Sequence, residues 1–197
     1  KAIFNNKNLG FARGNNLGLK KSSGDYLVLL NNDTIVSDGW LSRLLFHSRK
    51  NNIGLVGPVT NSIGNEAKVK IKHNIFDTND LFEKSKNYIY QNWGNVMKVN
   101  NIAAYCWMMP RQTLSKVGLM DERFGRGLFE DDDYCLRVTK EGLDIVITDD
   151  AFVYHFGGAS TNWGSVEYKK LFSENKKKFE EKWGIEWQKH KYRNYVK

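Results

Sequence analysis

The stretch Gly24-Asp25-Tyr26-Leu27-Val28-Leu29-Leu30-Asn31-Asn32-Asp33-Thr34 decides the fold class. Five consecutive apolar residues, Tyr26 to Leu30, lie between turn-forming clusters. The run is too short for a helix and does not alternate, which predicts a strand buried on both faces. Such strands belong to sheets covered by helices on both sides. Upstream, the Asn- and Gly-rich segment Phe4–Gly18 reads as a loop entering a short helix that ends near Lys20-Lys21. Downstream, Asp38 is a candidate cap for a helix carrying Trp40, Leu41, Leu44 and Leu45, and Ile53–Val59 reads as the next strand. Residues 60–95 are polar and Asn-rich with scattered aromatics, and no period emerges there. Ile102–Met109 is strand-like, and Pro110 precedes a short helix to Val117. A helix from the acidic run at Glu130 extends to Lys140 and stops at Gly142. Asp144–Thr148 reads as a strand, Phe152–His155 as a further extended segment, and Tyr168, Leu171, Phe172, Phe179 and Trp183 as the apolar stripe of a C-terminal helix. Strands alternating with helices define an α/β fold.

The chain has 197 residues, 41% hydrophobic and 13% aromatic, enough for one domain with a real core and too apolar for wholesale disorder. No apolar run approaches the roughly 20 residues that span a bilayer, and no secretory leader opens the sequence. Two cysteines, Cys106 and Cys135, exclude a disulfide framework and a four-cysteine zinc site, so a reduced, cytoplasmic setting is expected. A net charge of +8 and a pI near 9.3 favour phosphate-bearing partners. Nucleic acid is excluded as the default, because no recognition motif for it is present and the acids gather in Glu130-Asp131-Asp132-Asp133.

Three polar clusters end apolar segments. Asn31-Asn32-Asp33 lies where α/β sheets bind ligands, beyond the carboxyl end of a strand, although the same residues also make an ordinary Asx turn. Glu130–Asp133 opens a helix, where acids suit the macrodipole and Asp133 can pair with Arg137. Four adjacent carboxylates also repel one another, which raises the pKa of at least one and prepares a general base. His155-Phe156-Gly157-Gly158 follows an extended segment; its histidine is either a satisfied structural residue or a ligand, and its glycines permit close backbone approach.

Taken in order, Asn8–Asn16, Gly24–Thr34, Val117–Phe124, Phe129–Arg137 and Tyr154–Ser160 resemble the family 2 glycosyltransferases of the GT-A fold, in particular the bacterial rhamnosyltransferase-like branch. The resemblance implies a Rossmann-like nucleotide-diphospho-sugar transferase sheet, mixed and flanked by helices. It places Asn31-Asn32-Asp33 at the family's Asp-x-Asp motif, with Asp33 on a divalent cation, Mg²⁺ or Mn²⁺, and Asn31 in place of the first Asp. His155 falls where related enzymes complete the metal site, and Asp131 where they carry the catalytic base. Gly10, Arg13, Asn16, Asn31 and Asn32 fall near the donor nucleotide, and Glu130, Trp107 and Gly127 near the acceptor or its loop. The implied activity is inverting transfer from a UDP- or dTDP-sugar to a saccharide or lipid-linked saccharide in bacterial cell-wall or other cell-surface polysaccharide synthesis. Such a transfer is one displacement, in which a carboxylate takes the acceptor proton opposite the leaving diphosphate.

Members of that family open with a strand, a helix and a second strand. This sequence starts at Lys1-Ala2-Ile3-Phe4, near the family's third strand, so the resemblance implies an N-terminally truncated fold. Residues 1 to about 20 are then expected to be displaced, mobile or paired with another chain. The expected organisation is a single partial domain over 1–197, with a variable insert at 60–97 and a basic amphipathic helix and tail at 165–197. The lysines of that helix face either solvent or the anionic inner face of the plasma membrane, as a peripheral contact. A non-catalytic carbohydrate- or protein-binding module is the competing reading.

Overall fold

The computed structural model describes residues 2–72, 74, 77–157 and 164–193. Helix α1 (Phe11–Lys21) leads into β1 (Tyr26–Leu30), followed by β2 (Thr34–Val36), α2 (Trp40–Ser48) and β3 (Ile53–Val59). Helix α3 (Thr78–Gln91), β4 (Val96–Val99), β5 (Cys106–Pro110) and α4 (Arg111–Val117) come next. A single 3₁₀ turn at Glu122–Phe124 precedes α5 (Glu130–Lys140), β6 (Asp144–His155) and α6 (Val166–Trp183).

The sheet order is β1-β5-β3-β6-β2, with β4 also paired to β6. Strands β3 and β6 are parallel, while β5 is antiparallel to both β1 and β3. The carboxyl ends of β1, β3 and β6 therefore share one side of the sheet, and the loops carrying Asp33 and His155 emerge there together. Two cores flank the sheet, one centred on Leu55, Trp107, Tyr134 and Ile147 and the other on Leu44, Val56, Met108 and Val153. Strands β3 and β5 are buried on both faces, as unbroken apolar runs predict. Strand β1 is not: Leu27 and Leu29 are buried, Tyr26 and Val28 are half-buried and Leu30 is exposed, because β1 lies at the end of the strand order.

Several expectations need correction. Strand β6 is one 12-residue strand, not two segments; the polar Asp149-Asp150 between them sits at a register shift opposite Pro58-Val59. Asp150 is tolerated inside because His47, Thr148 and the Gly94 N–H all reach its carboxylate. Gly39, with φ 71°, occupies the N-cap of α2, so Asp38 does not cap it. Residues 60–99 supply α3, capped by the Asp77 carboxylate, and β4, which pairs with β6 across four positions. Helix α1 is packed, not displaced: Ala12, Asn16 and Leu19 are buried, while residues 2–8 are exposed. No helix among the described residues is long and apolar enough to cross a membrane.

Candidate active site

A cavity of about 670 Å³ lies beyond the carboxyl ends of β1 and β6. Asn31 and Asp33 from the turn after β1, His155 from the end of β6, and Glu130 and Asp131 from the start of α5 all line it. Gly127 and Tyr105 complete the near wall, and Tyr168 and Leu171 of α6 form the opposite one. A second cavity, of about 720 Å³, sits at the far end of the strands beside Tyr26 and Ile53, and none of the candidate site residues lines it.

His155 is fixed on several sides. Its Nδ1 lies 3.0 Å from the Ser62 carbonyl, which can only accept, so Nδ1 carries a proton and Nε2 is the nitrogen turned toward the cavity side. That Nε2 stands 3.3 Å from Asp33 Oδ1. The Tyr105 ring stacks on the imidazole at 5.1 Å, and Asn61 holds the His155 backbone by accepting from its N–H and donating to its carbonyl. Thr34 pairs with His155 across β2 and β6, and the Phe156 N–H donates to the Asp33 carbonyl at 3.0 Å. A carboxylate and a correctly oriented imidazole side by side suit a divalent cation, with the second ring nitrogen anchored as metal-binding histidines require. Among the described residues no third His, Cys, Asp or Glu joins them. A cation held there would take its remaining ligands from a bound diphosphate and water, the usual arrangement for Mg²⁺ or Mn²⁺. Gly157, with φ 66°, passes so close that an added Cβ would meet Ser62 Oγ at 2.9 Å. Gly158 lies outside the described residues.

The acidic run divides within one helical turn. Glu130 is 6% exposed, and its Oε2 is buried with no hydrogen-bond partner. Burial, then the neighbouring Asp131 charge, drives its pKa well above the ordinary carboxylate range. Asp131 is raised as well, by burial first and by Asp132 second, with the Asp132 N–H and His190 opposing. Asp132 and Asp133 point elsewhere. Asp132 Oδ1 accepts from Asn101, Trp187 Nε1 and His190 Nε2 at 3.1, 3.3 and 2.9 Å. Asp133 is fully buried and meets Arg137 Nε at 2.9 Å, Trp183 Nε1 at 3.0 Å and Lys182 Nζ at 2.5 Å.

The loop before α5 is held in an uncommon conformation, with Gly127, Leu128 and Phe129 at φ 147°, 74° and 74°. For the two non-glycine residues that costs on the order of 1–3 kcal/mol each. Asn175, completely buried on α6, offsets the strain by donating to the carbonyls of Phe124, Gly127 and Leu128 at 2.7, 2.8 and 3.3 Å. The Phe129 ring packs among Phe172, Phe179 and Trp187. Sequence reasoning missed Asn175, Trp187 and His190. An Asn among lysines on a helix reads as a solvated face, and nothing local reveals that it turns inward.

Other expected site residues lie off the cavity. Asn16 is buried and exchanges hydrogen bonds with the Met120 backbone and Glu122, and Arg13 pairs with Glu122, so both tie α1 to the 120–122 segment. Gly10 packs against the Gly125 carbonyl so tightly that a Cβ would overlap it. Asn32 is exposed and off the cavity wall. Trp107 is fully buried beside Tyr134 in the core and cannot reach an acceptor.

The fold and this cleft define the class. The sequence profile described as "Glycosyl transferase family 2" matches residues 1–118, and the chain belongs to that family. It is 31% identical over 175 residues to uncharacterized proteins of Mycobacterium tuberculosis and Mycobacterium bovis, covering 82% of this chain and 60% of theirs. The chain thus spans about 60% of the length of those relatives. The O-antigen biosynthesis protein RfbC of Myxococcus xanthus is 26% identical over 153 residues, 74% of this chain and 12% of that protein. Among solved structures, GalNAc-T7 with UDP, GalNAc and Mn²⁺ superposes with a TM-score of 0.61 at 15% identity, covering 86% of this chain and 34% of that one. The mannosyltransferase PcManGT of Pyrobaculum calidifontis, in complex with GDP-Man and Mn²⁺, gives 0.52 at 13% identity, covering 82% and 40%. The fold is that of the GT-A glycosyltransferases.

Proposed function

We propose that the chain carries the catalytic cleft of an inverting, metal-dependent glycosyltransferase that moves a sugar from a nucleoside-diphosphate donor to a saccharide or lipid-linked saccharide. The observation that carries the reading is the cleft itself: the Asp33–His155 pair with its oriented Nε2 and the desolvated Asp131 line the same cavity. Asp33 and His155 would hold the cation, which when bound neutralises charge on the departing diphosphate. Asn31 keeps a hydrogen-bonding group on the donor side. Asp131 takes the proton of the acceptor hydroxyl as that oxygen bonds to the anomeric carbon and the bond to the diphosphate breaks. Its raised pKa makes it a stronger base than a solvated carboxylate while leaving it ionised in neutral solution. Gly127 and Glu130 flank the acceptor side, with Glu130 holding its proton to higher pH.

The similarity to an O-antigen biosynthesis protein favours a role in bacterial cell-surface polysaccharide synthesis, and the sequence motifs favour the rhamnosyltransferase-like branch with a UDP- or dTDP-sugar donor. The test is a panel of UDP-, dTDP- and GDP-sugars with Mn²⁺ or Mg²⁺ against oligosaccharide acceptors, with the anomeric configuration of the product read by NMR. Transfer with inversion that disappears on chelation is expected. Transfer with retention, or unaffected by chelation, contradicts the reading.

A further inference from the structure

The aromatics scattered through residues 78–93 are not scattered in space. Phe82, Lys86, Tyr90 and Trp93 recur every three or four residues, so they stand on one side of α3 and its terminal turn, and all four are exposed, Tyr90 by 82%. The helix buries the neighbouring side, one residue back, through Leu81, Ser85 and Ile89. Helix α2 and the turn that follows it present a matching stripe. Arg43, Phe46 and Lys50 follow one another at helical spacing, with Phe46 63% exposed and Lys50 Nζ 5.2 Å from its ring centroid. The stripes meet where the Arg43 guanidinium lies over the Trp93 ring at 5.0 Å.

This juxtaposition is built in. Buried His47 of α2 and the Gly94 N–H that follows Trp93 both donate to the Asp150 carboxylate, at 3.0 and 3.1 Å. Although burial opposes it, the His47 and Thr148 hydrogen bonds hold Asp150 below its ordinary pKa, so the staple stays ionised. Among the described residues, Arg43, Lys50 and Lys86 make no ion pair with a carboxylate. The lysines of α6 differ. Lys170, Lys176 and Lys177 each pair with a glutamate four residues on, and Lys182 pairs with Asp121 and Asp133.

We propose that the joint face of α2 and α3 is a membrane-docking surface that seats in the headgroup region of a bilayer rich in anionic lipid. Its chemistry selects that occupant. Trp, Tyr and Phe interleaved with Lys and Arg are the residues of a bilayer interface, where amphipathic rings sit at headgroup level and cations meet lipid phosphates. A protein interface would instead be depleted in lysine at its centre. The inference goes beyond sugar transfer and is read without turnover, so its failure would leave the glycosyltransferase reading intact.

The test is flotation of the chain with phosphatidylglycerol-containing vesicles and with pure phosphatidylcholine vesicles, alongside circular dichroism and thermal melting as a check of folding. Wild type should partition onto the anionic vesicles and much less onto the neutral ones. Lys50→Gln with Lys86→Gln should weaken partition by roughly fivefold per cation removed. Tyr90→Ala with Trp93→Ala should weaken it further without changing the far-ultraviolet circular dichroism spectrum. Lys170→Gln with Lys177→Gln on α6, an equal loss of charge, should have little effect. Equal losses from the α6 and α2–α3 variants would overturn the proposal, as would equal binding to both vesicle types or none to either.

Discussion

Glu130 and Asp131 are adjacent in sequence to Asp132 and Asp133, yet the two pairs live in opposite electrostatic worlds. The second pair is buried with partners: Lys182, Arg137 and Trp183 surround Asp133, and His190, Trp187 and Asn101 converge on Asp132. The first pair is desolvated with few partners and faces the cavity. Burial with counter-charges makes a carboxylate a structural anchor, whereas burial without them makes it hold a proton and act on whatever enters. A single helical turn separates the two pairs because Lys182 and Trp183 of α6, with Trp187 and His190 beyond it, reach one of its sides while the other lines the cavity.

The largest expected effect lies between the pairs. Asp131→Asn should lower turnover by ~10²–10⁴-fold with little change in donor affinity, as loss of a general base does. Asp132→Asn should leave turnover per folded molecule nearly intact. Steady-state kinetics on both variants decides it, and the opposite outcome would move the base one residue along. Next in size is stability. Asp133→Asn leaves Lys182 and Arg137 without their buried partner and should destabilise the fold by about 3–5 kcal/mol in urea denaturation. Glu130→Gln, which keeps the side chain's size, should not.

A smaller effect should appear at His190. Its pKa is raised by the Asp132 contact in spite of burial. The stability from that pair is therefore complete below the unfolded histidine value and lost as pH rises through the folded one. Trp187 fluorescence should report loosening of the tail across neutral to mildly alkaline pH, worth no more than about 1 kcal/mol. His190→Gln should flatten that profile. The last effect is the reverse of the usual mutational loss. Because the Glu130 pKa is raised on folding, the folded state holds a proton that the unfolded chain gives up, so stability falls as pH climbs above the ordinary glutamate value. Glu130→Gln should raise the melting temperature at pH 8 and leave it almost unchanged at pH 4.

Legibility followed the range of the interactions. Ile53–Val59 was readable because burial on both faces leaves a local signature, Tyr26–Leu30 because a short apolar run lies between turn clusters, and the meeting of Asp33, Asp131 and His155 at one cavity because each lies at the end of an element. The division of the acidic run was not readable. It depends on Asn175, Lys182, Trp187 and His190, about 45 to 60 residues further along the chain. Helix α3 was hidden for another reason: its exposed face is aromatic and its buried face is only Leu81, Ser85 and Ile89, which blurs the usual amphipathic pattern. Asn16 and Trp107 fit a motif or a composition, but backbone pairing and core packing had already claimed them.

The central claim is that one cleft holds two separate functions, a cation site at Asp33 and His155 and a base at Asp131. Its most direct test is Mn²⁺ binding in the presence of UDP, followed by electron paramagnetic resonance for wild type, Asp33→Ala, His155→Ala and Asp131→Asn. The account predicts that Asp33→Ala loses most of the bound Mn²⁺, that His155→Ala loses less, and that Asp131→Asn binds it as wild type does. Loss of Mn²⁺ in Asp131→Asn equal to that in Asp33→Ala would contradict it, since the two carboxylates would then serve one site.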